Sequence, residues 1–181
     1  MGTRQPVVVR VVKHGGHSTG GQGGINCCCC RCFPCIHFNV LSSTEAKYKI
    51  AEAFLAGGIQ SLLLKYGHNQ TSTIGFSYDS CLTTACACLL TSIVMLISYI
   101  ISPHSIGTLR ATPFEWIFNG LACILYLSSG GYLAFTVSIF LFPLYMTLPF
   151  FQAYPALSAC YVMCFFAAII HGIDAYKAYK K

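Results

Sequence analysis

The chain has 181 residues, 55% of them hydrophobic and 9% charged, with a formal net charge of +6. Soluble domains carry about 25% charged residues, so a water-facing surface is excluded and a single integral membrane domain is expected. The basic residues stand singly at the ends of apolar segments rather than in a patch, which argues against nucleic acid and for the lipid bilayer as partner.

Residues 1–26 hold Gly, His and Ser without a periodic apolar face and read as a flexible cytoplasmic tail. His14 and His17 within it are a weak copper or nickel pair with no further ligand. Residues 6–12 (PVVVRVV) are too short for a signal-peptide core and are broken by Arg10, so the first span is expected to insert as its own signal. Pro6 stands where N-myristoylation needs Ser or Thr.

Residues 27–46 form a cysteine-rich juxtamembrane segment, with Cys27, Cys28, Cys29, Cys30, Cys32 and Cys35 packed into nine positions. Zinc needs four converging ligands, normally two CxxC-like pairs. Cys32 and Cys35 supply one pair, but no distant second pair is evident. Thiols just before a span, beside basic and aromatic residues, are candidates for S-acylation, and each acyl chain adds about 0.8 kcal/mol of membrane affinity per buried methylene. Acylation is the favoured reading, with metal or redox chemistry and unmodified thiols as alternatives.

The first span is expected at about 47–66, with Lys65 snorkelling at its far end. Lys49 and Glu52 are spaced i,i+3, so an ion pair at the membrane interface is available. Ala53 and Gly57 form a small-residue pair suited to close helix approach. Residues 67–80 read as a polar loop carrying the sequon Asn69-Gln-Thr71, a glycosylation candidate. The second span, about 81–101, has Thr84, Cys88 and Ser92 in a weakly polar seam, and Cys81, Cys86 and Cys88 read as small packing residues.

The loop 102–113 contains Arg110 and two prolines, which stop one helix and start the next. The third span, about 114–136, opens with Glu115 and Asn119 near the membrane boundary, facing protein rather than lipid, and with Trp116 at headgroup level. Residues 138–154 are uncharged but interrupted by Pro143 and Pro149, and read as a short helical continuation followed by an apolar, aromatic outer loop. The fourth span, about 155–173, carries Ala156, Cys160, Cys164, Ala168 and Gly172 at spacing four, a packing seam. His171 and Asp174 read as a solvated cap at its boundary, before a basic cytoplasmic tail, 176–181.

Four spans put both termini on one side. Arg4, Arg10, Lys13, Arg31, Lys47, Lys49, Arg110, Lys177, Lys180 and Lys181 then share that side, leaving only Lys65 and the sequon opposite. This follows the positive-inside rule with both termini cytoplasmic.

The stretch 114–132 (FEWIFNGLACILYLSSGGY) resembles the third span of the MARVEL family, four-span proteins of vesicle trafficking and membrane contacts. The residues carrying the likeness are Phe114, Glu115, Asn119, Tyr126, Leu127, Ser128 and Ser129. Taken with the layout of residues 40–180, the resemblance extends to the short insect-type members. It implies an all-α, membrane-embedded four-helix bundle and a role in vesicle trafficking, membrane apposition or membrane fusion. The expected outer loops contain no cysteine pair, which speaks against junctional adhesion through those loops.

No nucleophile–base–acid set and no phosphate-binding glycine loop is visible, so neither an enzyme, a cofactor nor a resident metal is expected. The leading expectation is a multi-pass membrane-organising protein of plasma membrane or vesicles, with membrane-protein partners or self-association. A small channel or transporter subunit is the alternative.

Overall fold

The computed structural model describes residues 25–27, 30–32, 38–102, 104–148 and 150–180. Two three-residue strands, β1 (Ile25–Cys27) and β2 (Cys30–Cys32), pair antiparallel with Ile25 opposite Cys32. A 3-10 turn, Phe38–Ser42, precedes the first long helix, and almost everything after it is helical.

Helix α1 (Thr44–Leu62) starts where Ser43 Oγ accepts the Ala46 N–H at 3.2 Å, with Glu45 in the first turn. Both features answer the unpaired N–H groups and the positive dipole end of a helix start. The helix runs through a π turn, Leu63–Gly67, and a 3-10 turn, His68–Gln70, into α2 (Thr71–Ile101). Laid straight, 58 helical residues would measure about 87 Å, nearly three times a bilayer core. Instead the chain doubles back. Ser92 on α2 reaches Glu52 on α1 at 3.3 Å, and a Cβ on Gly67 would lie 2.8 Å from Tyr78. The reversal is completed at Gly75, whose φ of 44° and ψ of −123° break the helix in a conformation that suits only glycine. The expected polar loop at 67–80 is therefore mostly tight helical turns.

Helix α3 (His104–Ala111) fills the next linker. Thr112, in an extended conformation, precedes α4 (Pro113–Thr136), where proline at the first position is already shaped for a helix. A π turn, Val137–Leu141, joins α4 to α5 (Phe142–Thr147). Beyond α5, Phe150 has a φ of 64° and is 96% exposed, and Pro149 lies outside the described residues. Helix α6 (Ala153–Tyr179) extends beyond both ends of the expected fourth span.

Among the described residues, three stretches are long and apolar enough to cross a membrane: 44–101, 113–147 and 153–179. Helices α1, α2, α4 and α6 pack in a ring in that order, and each neighbouring pair is antiparallel. Helices α2 and α4 meet through Ser77 and Thr136 at 2.8 Å at one end and through Tyr99 and Glu115 at 3.3 Å at the other. Helix α6 lies along α4 with Cys164 beside Gly130, and along α1 with Met163 beside Gly58. Ile59, Leu63, Cys81, Leu133 and Leu157 are buried between the legs, while Phe54, Phe76, Leu90, Ile124 and Phe166 point outward. An apolar exterior of this kind matches lipid. Lipid tails are as apolar as these side chains, so close packing and polar contacts must hold the helices together.

Candidate functional site

The buried ionisable side chains of the ring gather toward one end. The first turns of α1 place Lys49 and Glu52 three residues apart on one face, and the first turns of α4 place Glu115 and Asn119 likewise, four apart. The last turns of α6 contribute His171 and Asp174, and the second half of α2 contributes Ser92 and Tyr99. Because the legs alternate in direction, these sites converge. All eight side chains are fully buried or nearly so.

The Lys49 ammonium is at the centre. Its Nζ lies 2.9 Å from Glu52 Oε2, 2.8 Å from Asn119 Oδ1 and 2.9 Å from Asp174 Oδ2, touching three helices at once. Ser92 Oγ donates to Glu52 Oε2 at 3.3 Å and brings in the fourth. Asn119 is held in one orientation, since its Nδ2 donates to Asp174 at 2.9 Å while its Oδ1 accepts from Lys49. His171 Nδ1, 3.0 Å from that same Oδ1, must therefore carry the proton in this contact. Nδ1 also lies 3.4 Å from Glu52 Oε1, and Nε2 has no hydrogen-bond partner among the described residues. Tyr126 stacks on the imidazole at 5.6 Å and Phe118 meets it edge-on at 6.1 Å, closing the cluster from the apolar side.

A buried charge stripped of its partner costs about 3–5 kcal/mol, so this cluster acts chemically as a clasp that specifies one register among the four helices. Two expectations are corrected here. The Lys49–Glu52 pair is not at a watery interface but enclosed by α2, α4 and α6, and His171 with Asp174 is not a solvated cap but part of the same enclosure. Glu115 and Asn119 face the interior. What single-helix reasoning missed is the convergence. The signal is in the sequence, since Lys49/Glu52, Glu115/Asn119 and His171/Asp174 occupy like ends of alternating segments, but it shows only when the segments are compared with one another.

The packing residues divide. Thr84, Cys88 and Ser92 are buried in the α2 seam. Ala53 is only half-buried and a Cβ on Gly57 would meet nothing within 4 Å, so that pair is not the close approach; Ala56 and Gly58 are, with a Cβ on Gly58 falling 2.6 Å from Met163. On α6, Cys160, Cys164 and Ala168 are buried, but Ala156 and Gly172 lie at the edges of the face. A strict spacing of four gains about 40° per step on a helix of 3.6 residues per turn, so the stripe winds off its face at both ends.

Asn69 is exposed in the 3-10 turn at the opposite end, where it lines an open cleft of about 350 Å³ with Lys65, Gln152 and Phe150. Trp116 is partly exposed and meets Tyr179 edge-on at 5.8 Å. Of the acylation candidates, Cys27, Cys30 and Cys32 lie in β1 and β2, whereas Cys28, Cys29 and Cys35 lie outside the described residues, as do His14 and His17.

Protein singles bar of Drosophila melanogaster is similar to this chain, with 37% identity over 170 residues that cover 94% of the chain and 97% of the fly protein. No protein-family model matches the chain, and no solved structure does.

Proposed function

The chain belongs to the family of Protein singles bar, and from that kinship we propose that it is a four-span membrane-organising protein of the MARVEL type, with both termini cytoplasmic. It acts in vesicle trafficking, membrane apposition or membrane fusion, in the plasma membrane or in vesicles. The observation that carries the reading is the polar clasp, in which Lys49 joins Glu52, Asn119 and Asp174 inside a ring whose outer side is apolar. Such an arrangement makes a rigid, lipid-matched body rather than a catalytic cleft. Glu115 and Asn119, two of the residues that carry the MARVEL likeness, are members of this buried end. The reversal through Gly75, which turns 44–101 into two legs, supports four crossings rather than three.

The test is removal of the chain from cells that make it, with docked vesicles and unfused, apposed membranes counted by electron microscopy. Accumulation of either, reversed by the wild-type chain but not by Lys49→Met, is the expected result. Unchanged membrane traffic and contacts would refute the reading.

A small channel or transporter subunit is the second reading. It is favoured by the same ionisable groups, because charges held within a membrane protein often mark ion paths. Saturable ion flux through reconstituted protein, abolished by Glu52→Gln, would select it.

A further inference from the structure

About 15 Å along α6 from Asp174, three thiols converge between the helices. Cys160 and Cys164, one turn apart on α6, face Cys81 on α2, and the three Sγ atoms all lie within 4.8 Å of one another. The Cys81 and Cys164 sulfurs are 3.4 Å apart, and all three residues are fully buried. Helix α4 closes the remaining side at Gly130, where a Cβ would fall 2.7 Å from that of Cys164. Its neighbour Ser129 lies near Cys81 and is 2% exposed, yet its hydroxyl has no hydrogen-bond partner among the described residues.

We propose that Cys81, Cys160 and Cys164, with the Ser129 hydroxyl beside them, form a seat for one soft d10 metal ion, three-coordinate Cu(I) in preference to Zn(II), for which the three thiols leave the fourth ligand missing. Three sulfurs each about 2.3 Å from a central ion in a plane stand about 4 Å apart. The observed separations, from 3.4 Å up to 4.8 Å at most, bracket that figure, so side-chain shifts of a few tenths of an ångström complete the site. Thiolates favour soft ions over magnesium or calcium. Each thiol that ligates releases its proton. Three thiolates leave one negative charge around Zn(II) and two around Cu(I), and the orphaned Ser129 hydroxyl can donate to a charged sulfur. The ion would tie α2 to α6 across the ring, at a level the polar clasp does not reach.

The juxtamembrane cysteines would also bind such ions, so the test uses the full chain with Cys27, Cys28, Cys29, Cys30, Cys32 and Cys35 changed to serine. The detergent-purified protein is titrated under reducing conditions with Cu(I) and, separately, Zn(II), each against a chromogenic chelator. The expected result is one equivalent of Cu(I), bound more tightly than Zn(II), with a sulfur-dominated shell by X-ray absorption and a raised melting temperature. Affinity should fall at least tenfold in Cys164→Ser and in Cys81→Ser, and remain unchanged in Cys86→Ser. Ser129→Ala, which leaves every thiol in place, should weaken binding while preserving the metal-free melting temperature. A folded parent that takes up no Cu(I) or prefers Zn(II), or a Cys164→Ser variant that binds as well as its parent, overturns the proposal. So does a native Cys81–Cys164 disulfide found by mass spectrometry.

Discussion

Lys49 is the residue on which most of the buried polar contacts depend. Its ammonium faces two carboxylates, Glu52 and Asp174, and an amide oxygen, each within 2.9 Å. Lys49→Met leaves those carboxylates enclosed without their cation and should cost about 3–5 kcal/mol, read as a lower melting temperature in detergent and retention in the endoplasmic reticulum. Adding Asp174→Asn to Lys49→Met should recover part of the loss, because one uncompensated charge is removed. A second contrast lies in adjacent glycines. Gly130→Ala drives a methyl to 2.7 Å from Cys164 Cβ and should destabilise by about 1–3 kcal/mol, whereas Gly131→Ala meets nothing within 4 Å and should be neutral or slightly stabilising. Neither effect was legible from residue type. Glu52 sits as deep in its segment as a snorkelling acid could, and Gly130 and Gly131 look identical in sequence. Burial belongs to the neighbours, and the neighbours are known only once the helices are placed.

At the scale of the helices, more was legible, because apolar length and boundary signals are local. The start of α4 at Pro113 and the apolar body of each long helix follow from such signals, whereas α1 begins at Thr44, three residues before the expected start. Two features did not. The length of the continuation past Pro143 is one: the sequence expects a short helical piece interrupted by Pro143, but a π turn directly upstream accommodates the proline and the helical path runs through it to Thr147. The turn at 67–80 was read as a polar loop because His68, Asn69, Gln70 and Ser72 carry no apolar period, yet 3-10 and α geometry absorb them. Gly75 is decisive there. Gly75→Val puts a β-branched residue at a φ of 44°, and it should misalign the two legs enough to break the Ser92–Glu52 contact. Cysteines placed at positions 52 and 92 should cross-link in the parent and lose the cross-link in the Gly75→Val background.

For the whole molecule, the composition already announced an apolar exterior, and the described surface agrees with it from Phe54 on α1 to Phe166 on α6. The ring order and the meeting of the ionisable pairs at one end were not legible, since they depend on how the alternating legs close on themselves. An independence follows. The cysteine-rich segment precedes the first residue of α1, and among the described residues the clasp is built from the long helices alone. Serine at all six of its cysteines should abolish acyl labelling and shift the protein's distribution between membrane domains, while leaving the melting temperature of the helices unchanged. A drop in that temperature would mean that the segment is part of the packed body.

The lopsided placement of polar contacts has a mechanical corollary. One extremity of the ring is riveted by ion pairs, while at the other, among the described residues, α2 and α4 are joined by a hydroxyl pair, Ser77 with Thr136, and no ion pair. Bilayer thinning or curvature will spread the legs from the loosely fastened extremity, in the manner of a clothes-peg. Backbone amides around residues 63–78 and 137–157 should exchange hydrogen faster in thin, strongly curved vesicles than in flat ones, while those at 46–56 and 115–126 stay protected. The molecule is thereby built to yield at the leaflet that carries Asn69 and Phe150.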